Sequence, residues 1–503
     1  MNEMATATQI QVTTPPMVGG REPLIGHARK FMSDPVNFLM DCYREYGEIF
    51  RLRLGNREHV VMLGPEFNKF FFAQTDKLLS IREGYPFFLK MFSKDFYFFA
   101  PHDDYMMQRE IVMPRFKGNA MRSYVSLMAQ ETEDLAEELG ESGEFDLIPT
   151  LGPLVMNIAA HAFLGSDFRG KLNDGFFDDF RDFSGGMEVI WPLWMPLPHL
   201  RKSRAARKKL NGILSKWVDY RIENPMDPPD FFQDLIGAKL SNGEPLSREL
   251  IINIILLLVW AGHETTAGQI SWALIDLLQH PDYLNTVRAQ TDSTMGDRPF
   301  GEMGWEDARA LTNIEIAVKE SERLHPVAYV LMRKAQEDLE VGGYRIPKGT
   351  YLFAAPAVSH RMPDVFPDPH AYKPSRFAPG TGEGTAETNR LIGFGGGLHR
   401  CAGVNFARLE MKIILTMLAR RYDMELIDAP RPISGTMTHW PAQPCRVRYS
   451  ARSDSDRAHD KQRAAALESL QPATVITSAE DPFTISEDDD GAGKTGGCPF
   501  HGG

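Results

Sequence analysis

The apolar run IINIILLLVWA at residues 251–261 continues into GHETTAGQI between two clear helix ends, and no other stretch limits the fold so strongly. Ser247 can cap the helix with Glu249 in its first turn, and His280-Pro281 stops it. About 32 residues at 1.5 Å each make a helix ~48 Å long, long enough to cross a large domain. The apolar run is well short of the ~20 residues a spanning helix needs, and Asn253 interrupts it. The reading is therefore a buried helix through the core of a large domain. Ala261, Thr265 and Gly268 recur at i, i+4 and i+7, so one stripe carries only small side chains. That leaves room for something flat, or for another helix.

The rest of the chain fits a domain of that size. From Glu22 to Tyr449, helical patterns such as MRSYVSLMAQETEDLAEELG alternate with short extended stretches such as EIFRLRLG, with no evident linker and no repeats. The predicted fold class is mainly α with small β-sheets (α+β), a single large domain over 22–449. Residues 1–21 lack a basic segment followed by an apolar one, so they read as a flexible lead-in without signal peptide or transmembrane anchor. Residues 450–503 are rich in charged and small residues and read as a mostly disordered tail. The net charge of -12, from 55 Lys plus Arg against 67 Asp plus Glu, gives no basic stripe for nucleic acid. The 4 cysteines are scattered, which favours a reducing, cytoplasmic setting over a disulfide framework.

A carboxylate at the end of an apolar run needs an explanation, and HETTA admits three. His263-Glu264 opens like the zinc motif HExxH, but the fifth position is Ala267, so the second ligand is missing. Structurally, threonine hydroxyls can bond to the i−4 carbonyl and bend the helix, with Glu264 paired to an arginine. Chemically, Glu264 and Thr265 form an acid and an alcohol suited to proton relay. That third reading needs an oxygen-activating centre elsewhere.

Residues 393–403, GFGGGLHRCAG, can supply it. Cys401 stands just before the helical pattern VNFARLEMKIILTMLARR, where the helix dipole and free N–H groups stabilise a thiolate. Glycines strip side chains from the loop, so a flat ligand can lie against bare backbone. A dinucleotide loop fails here, because GxGxxG from Gly395 would need glycine where Arg400 stands. The five typed positions Phe394, Gly397, His399, Cys401 and Gly403 resemble the haem-binding loop of the cytochrome P-450 superfamily. Glu320 and Arg323 in KESERLHP match its ExxR, Arg376 in KPSRF its partner arginine, and AGHETT its oxygen-activating segment.

The resemblance implies the cytochrome P-450 fold with its long central helix, and a haem b (iron protoporphyrin IX) whose iron takes Cys401 as axial ligand. It implies that Glu264 and Thr265 serve protonation, and that Glu320, Arg323 and Arg376 form a buried network bracing the loop. For the haem it implies contacts from His399, Arg333, Arg109 and Tyr85, with Phe394, Gly395, Gly403 and Ala261 against the ring. Tyr105 stands where Trp or His often precedes the Arg109 position. The tail is too short for a reductase domain, so electrons are expected from a ferredoxin or flavodoxin with its NAD(P)H reductase. Arg400, Lys412, Arg420, Arg421, Arg115 and Lys117 are the basic residues offered for its docking. A monomer is expected.

Among members of the superfamily, YPFFLKMFS, LHPVAYVLMR and SHRMPDVFPDPHAYKPSRF resemble the bacterial sterol 14α-demethylases most. Such a relation implies O2-dependent oxidation of a large apolar substrate, with a terpenoid or fatty acyl substrate as the alternative. A haem protein of this fold that does not oxygenate is a different class, and the intact Glu264-Thr265 pair sets the chain apart from it. Phe88, Phe92, Phe98, Phe99, Trp260, Val327, Leu331 and Met437 are the expected substrate pocket. Cys498 and His501 in the tail read as solvated.

Overall fold

The computed structural model describes residues 13–453 apart from 93–95, 171–173, 188–193, 241, 382–388 and 434–437, and without the side chains of Lys90, Phe98 and Asp174. The central helix runs Arg248–Gln279, 32 residues, with the expected ends. Ser247 Oγ accepts the Leu250 N–H at 3.2 Å, and His280 closes the other end ahead of Pro281. Its buried residues fall on all sides, so it lies inside a helical layer, against Leu147–Leu164 along one flank and Thr312–Leu324 and Val404–Arg421 on others. By length and hydropathy Leu147–Leu164 and Arg248–Gln279 could each cross a membrane, but 72% and 56% of their apolar windows are buried within the fold. Core packing accounts for their composition.

A five-stranded sheet flanks this layer in the order Ile49–Leu54, Arg57–Met62, Tyr351–Ala354, Leu331–Ala335, Leu79–Ser80. Its strands alternate between two clusters: Phe50, Leu52, Val61 and Phe353 face one, Ile49, Val60, Met62 and Leu352 the other. The register sets Arg333 opposite Leu352, which holds that guanidinium on the sheet beside the helical layer. A three-stranded sheet of Ser142–Asp146, Arg446–Ala451 and Tyr422–Leu426 closes the far side. The mainly helical fold with small sheets is as expected.

Both ends differ from expectation. Residues 13–21, expected as part of a loose lead-in, are pinned to the sheet. Arg51 N donates to Pro16 O at 2.7 Å, Val18 N to Arg51 O at 2.9 Å, and Val18 is buried. The edge strand Ile49–Leu54 has backbone groups to satisfy on its outer side, and this segment satisfies them. At the other end Arg452 is buried and its N–H reaches Arg421 O at 2.9 Å, so the fold extends past Tyr449. Residues 454–503, including Cys498 and His501, lie outside the described residues.

Glu320, Arg323 and Arg376 come together as expected and are each 0–1% exposed. Arg323 grips the carboxylate bidentately at 2.8 Å twice, and Arg376 Nε donates to Glu320 Oε1 at 3.1 Å. The remaining guanidinium donors reach carbonyls of the chain that wraps beneath: His360, Pro369 and Ala371 for Arg323, Pro367 for Arg376. His360 carries the bracing onward. Burial depresses its pKa to about 3, so the ring is neutral. Its Nε2 accepts the Ile392 N–H at 2.8 Å, which places the proton on Nδ1, facing Arg323 O at 3.3 Å. Ile392 opens the cysteine loop. Replacing Glu320 with alanine leaves two guanidiniums buried without their anion and should cost ~3–5 kcal/mol. Denaturant unfolding of Glu320→Ala checks this, and a loss below ~1 kcal/mol, the size of an exposed pair, would remove the network from this role.

Candidate active site

The cysteine loop is fastened by its own backbone. Gly395 N donates to Ile392 O and Cys401 N to Phe394 O, each at 2.9 Å, and Gly397 takes φ 63°, a turn that a side chain would strain. Cys401 therefore sits just ahead of Val404–Arg421. It lies deep in the fold, and the exposure it keeps is toward a cavity of ≈390 Å³ that it lines. Burial raises the thiol's pKa, against the pull of the Gly403 N–H and the Arg400 and Arg408 guanidiniums. A thiolate here is best satisfied by a cation set directly against it.

Across the cavity from the loop segments stands the central helix, contributing Leu257, Leu258, Trp260, Ala261, Thr265 and Thr266. Thr265 Oγ1 donates to Ala261 O at 2.7 Å, the i−4 bond expected on structural grounds. Glu264 does not line the cavity. Its Oε2 lies 3.3 Å from Ser184 Oγ, which also accepts Trp260 Nε1 at 2.8 Å. Burial raises the Glu264 carboxyl to about 7, with Ser184 and Arg181 opposing. Ser184 has one hydroxyl proton and two acceptors in reach, Phe180 O at 3.0 Å and Glu264. When it bonds to Phe180, a protonated Glu264 can donate to it. Gly268 departs from the small-residue stripe. A Cβ there would meet Trp440 at 2.4 Å, and Trp440 Nε1 donates to Glu264 O at 3.0 Å. The clearance at Gly268 belongs to an indole, not to the cavity.

A cationic and hydroxyl cluster joins the same cavity. Arg333 is 4% exposed, with Nε donating to Thr75 Oγ1 at 3.0 Å and Tyr85 hydrogen-bonded beside it. His399 Nε2 meets Asp76 Oδ2 at 2.5 Å, and Tyr105 stacks on the imidazole at 4.5 Å. Burial lowers the His399 pKa; burial would raise Asp76, but hydrogen bonds from His399 and His102 bring it below the usual range. Together these describe a neutral imidazole donating to a carboxylate. Arg109 does not line the cavity; it hydrogen-bonds to Tyr105, which does. Asp76, Ser184 and Trp440 were not evident from spacing, since each meets its partner from a distant segment. Tyr105 had a signal, its place four residues before Arg109.

The donor set and the shape fit a haem. A thiol donor opens from a loop stripped of side chains, Phe394, Gly395 and Gly403 flank it, and Ala261 and Thr265 lie opposite. Arg333, His399, Tyr85 and Tyr105 are the groups suited to hold propionates. Among the described residues no three His, Cys, Asp or Glu side chains converge as metal ligands. A second groove of ≈640 Å³ between Arg115 and Lys239 lacks the cysteine and any such cluster.

Of the expected pocket, Phe88, Trp260, Val327 and Leu331 line the cavity. Phe92 and Phe99 do not. Phe92 packs among Phe88, Phe96 and Phe183, and Phe99 is fully buried against Phe88, so both are core. The Phe98 side chain and Met437 lie outside the described residues. Of the basic residues offered for docking, Lys412 is buried against Glu315 at 2.9 Å and Arg420 is buried with bonds to Gly296 O and Arg298 O. Neither faces outward.

A model of the cytochrome P-450 family matches residues 16–447. A sterol 14α-demethylase of Mycolicibacterium vanbaalenii is 30% identical over 87% of this chain and 98% of its own. A lanosterol 14-alpha demethylase of Bos taurus is 28% identical over 88% of each. The retinoic acid-bound cyanobacterial CYP120A1 superposes with a TM-score of 0.78 at 26% identity, over 88% of this chain and 100% of that one.

The raised Glu264 carboxyl has a consequence for stability. The folded state holds the proton more tightly than the unfolded state, so this contribution is full below pH 4.5 and is lost as pH rises through about 7. That window is worth ~3 kcal/mol. Relative to Glu264→Gln, the wild-type protein should lose stability by that order between pH 4.5 and 7.5. Parallel stability curves of the two proteins in denaturant would contradict the assignment.

Proposed function

The chain belongs to the cytochrome P-450 family of haem monooxygenases, and from that membership we propose that its substrate is a large neutral apolar molecule, a sterol or another polycyclic terpenoid. One observation carries this. Among the described residues, the central helix and the segment 85–97 contribute only apolar, aromatic and uncharged polar side chains to the cavity. Its charged groups, Glu322, Arg333 and Arg400, come from elsewhere. A fatty acid would bring a carboxylate with no cation among the described residues of those walls to meet it, and burying it unpaired is costly. The sterol-demethylase relatives make sterol 14α-demethylation the first reaction to try.

The haem, held through Cys401, supplies reductive activation of O2 and transfer of one oxygen atom to substrate. The protein's share is to aim the substrate and meter protons. Trp260, Phe88, Val327 and Leu331 shape the apolar space beside Thr265. Because Thr265 gives its only proton to Ala261 O, it presents lone pairs to the cavity and acts first as an acceptor. Glu264, with a carboxyl near 7, is the proton source, parked on Ser184 until it turns toward Thr265. Arg333, His399, Tyr85 and Tyr105 would hold the propionates of a bound haem, with Arg109 acting through Tyr105.

Members of the family generally draw electrons from a separate partner. Here we assign that role to a ferredoxin or flavodoxin with its reductase, docking near Arg400 and the face bearing Arg421, and take the protein to act as a cytoplasmic monomer. Titrating the haem-loaded ferric protein with 14α-methyl sterols, cyclic terpenoids and long-chain fatty acids tests the substrate class. Neutral polycyclic lipids should displace water from the iron at lower concentration than fatty acids, and 14α-methyl sterols should release formic acid on turnover. A preference for fatty acids would contradict the reading.

A further inference from the structure

The Glu320 network is not the only ion pair beneath the cysteine loop. Glu322 is two residues on in Thr312–Leu324, so it points to a different side of that helix. It is 2% exposed and takes Arg408 Nη2 on Oε2 at 2.8 Å. Arg408 lies in Val404–Arg421, the helix that follows Cys401, and its guanidinium covers the Phe394 ring at 5.2 Å. Phe394 is the residue whose carbonyl holds the Cys401 N–H. Glu322 Oε1 has no hydrogen-bond partner among the described residues and faces Gly393, where a Cβ would come within 2.7 Å. Glu322 and Cys401 line the same cavity. Both charges reach the thiol, Arg408 favouring its ionised form and Glu322 opposing it.

We propose that Glu322 and Arg408 are a charge pair that sets the electrostatic potential at the Cys401 thiolate and thereby the reduction potential of the haem. It rests on the haem-thiolate reading and is independent of the substrate. A paired anion and cation largely cancel at the iron, whereas either one alone, in a dry surrounding, does not. The Glu320 network is closed by carbonyls and has no free oxygen on the cavity. Glu322 leaves Oε1 unpaired against Gly393, so its charge is the less shielded.

The experiment is a set of reduction potentials on the haem-loaded proteins, with the wild-type absorption spectrum as an independent check of thiolate ligation. Glu322→Gln leaves Arg408 unbalanced and should raise the potential. Arg408→Gln leaves Glu322 unbalanced and should lower it. A tenfold change in the reduction equilibrium, about 59 mV for a one-electron couple, is the expected size of each shift. The double glutamine variant should return close to wild type. A loosened loop that admits water would move both single variants the same way, and the double variant further; that pattern, or no movement in either, overturns the proposal. If a glutamine variant fails to load haem, Arg408→Lys decides: it must load and keep the wild-type potential, and its failure would show that guanidinium packing, not charge, holds the loop.

Discussion

The rest of the site depends on one buried carboxylate. Glu320 accepts from two guanidiniums and from the Lys373 N–H at 2.8 Å, with no exposure. Charges so deep are tolerated only when each donor and lone pair is met, and here carbonyls from 360 to 371 meet the donors left over. The network therefore fixes a stretch of irregular chain as firmly as a helix would. From it a line of hydrogen bonds runs through His360 to Ile392, then through Gly395, Phe394 and Cys401. The position of the thiol is inherited from an ion cluster it never touches.

The cavity above it divides by charge. Glu322, Arg400 and the cluster of Arg333 and His399 come from the cysteine loop, the helix that braces it and the sheet; the central helix contributes aromatic and aliphatic groups, hydroxyls and an amide. A haem with its iron and propionates suits the first, a neutral lipid the second. Between them the central helix keeps its acid off the cavity wall. Glu264 rests on Ser184 with its carboxyl near 7, and its own carbonyl is tied to Trp440. The carboxyl proposed as proton source is close to Thr265 in sequence yet does not line the cavity.

How much of this was legible follows the range of each contact. The ends of the central helix were readable because Ser247 and His280-Pro281 act within one turn. The Glu320–Arg323 pair was readable for the same reason, and Cys401 because glycines and a helix start flank it. Asp76 with His399, 323 residues apart, was not, nor were His360 under Ile392 or Trp440 over Gly268. Those pairings are made by the fold. Phe88, Phe92, Phe98 and Phe99 were the candidates for the pocket from this stretch, but in an irregular segment no period says which rings turn inward: Phe92 and Phe99 went to the core, while Phe96 and Tyr97 line the cavity. Lys412 and Arg420 show the same limit for charge: spacing placed them on the helix, and only packing shows that they point in.

The central claim is that this architecture would present Cys401 as a thiolate to a haem bound in the cavity that Cys401 and Thr265 both line. The absorption spectrum of the reduced, carbonyl-treated protein tests it most directly, because that band reports the ligand opposite the carbonyl. The wild-type protein should show the band position of thiolate ligation, and Cys401→Ala should lose the haem or the band. A histidine-type band in the wild-type protein, or a thiolate-type band that survives in Cys401→Ala, would contradict the account.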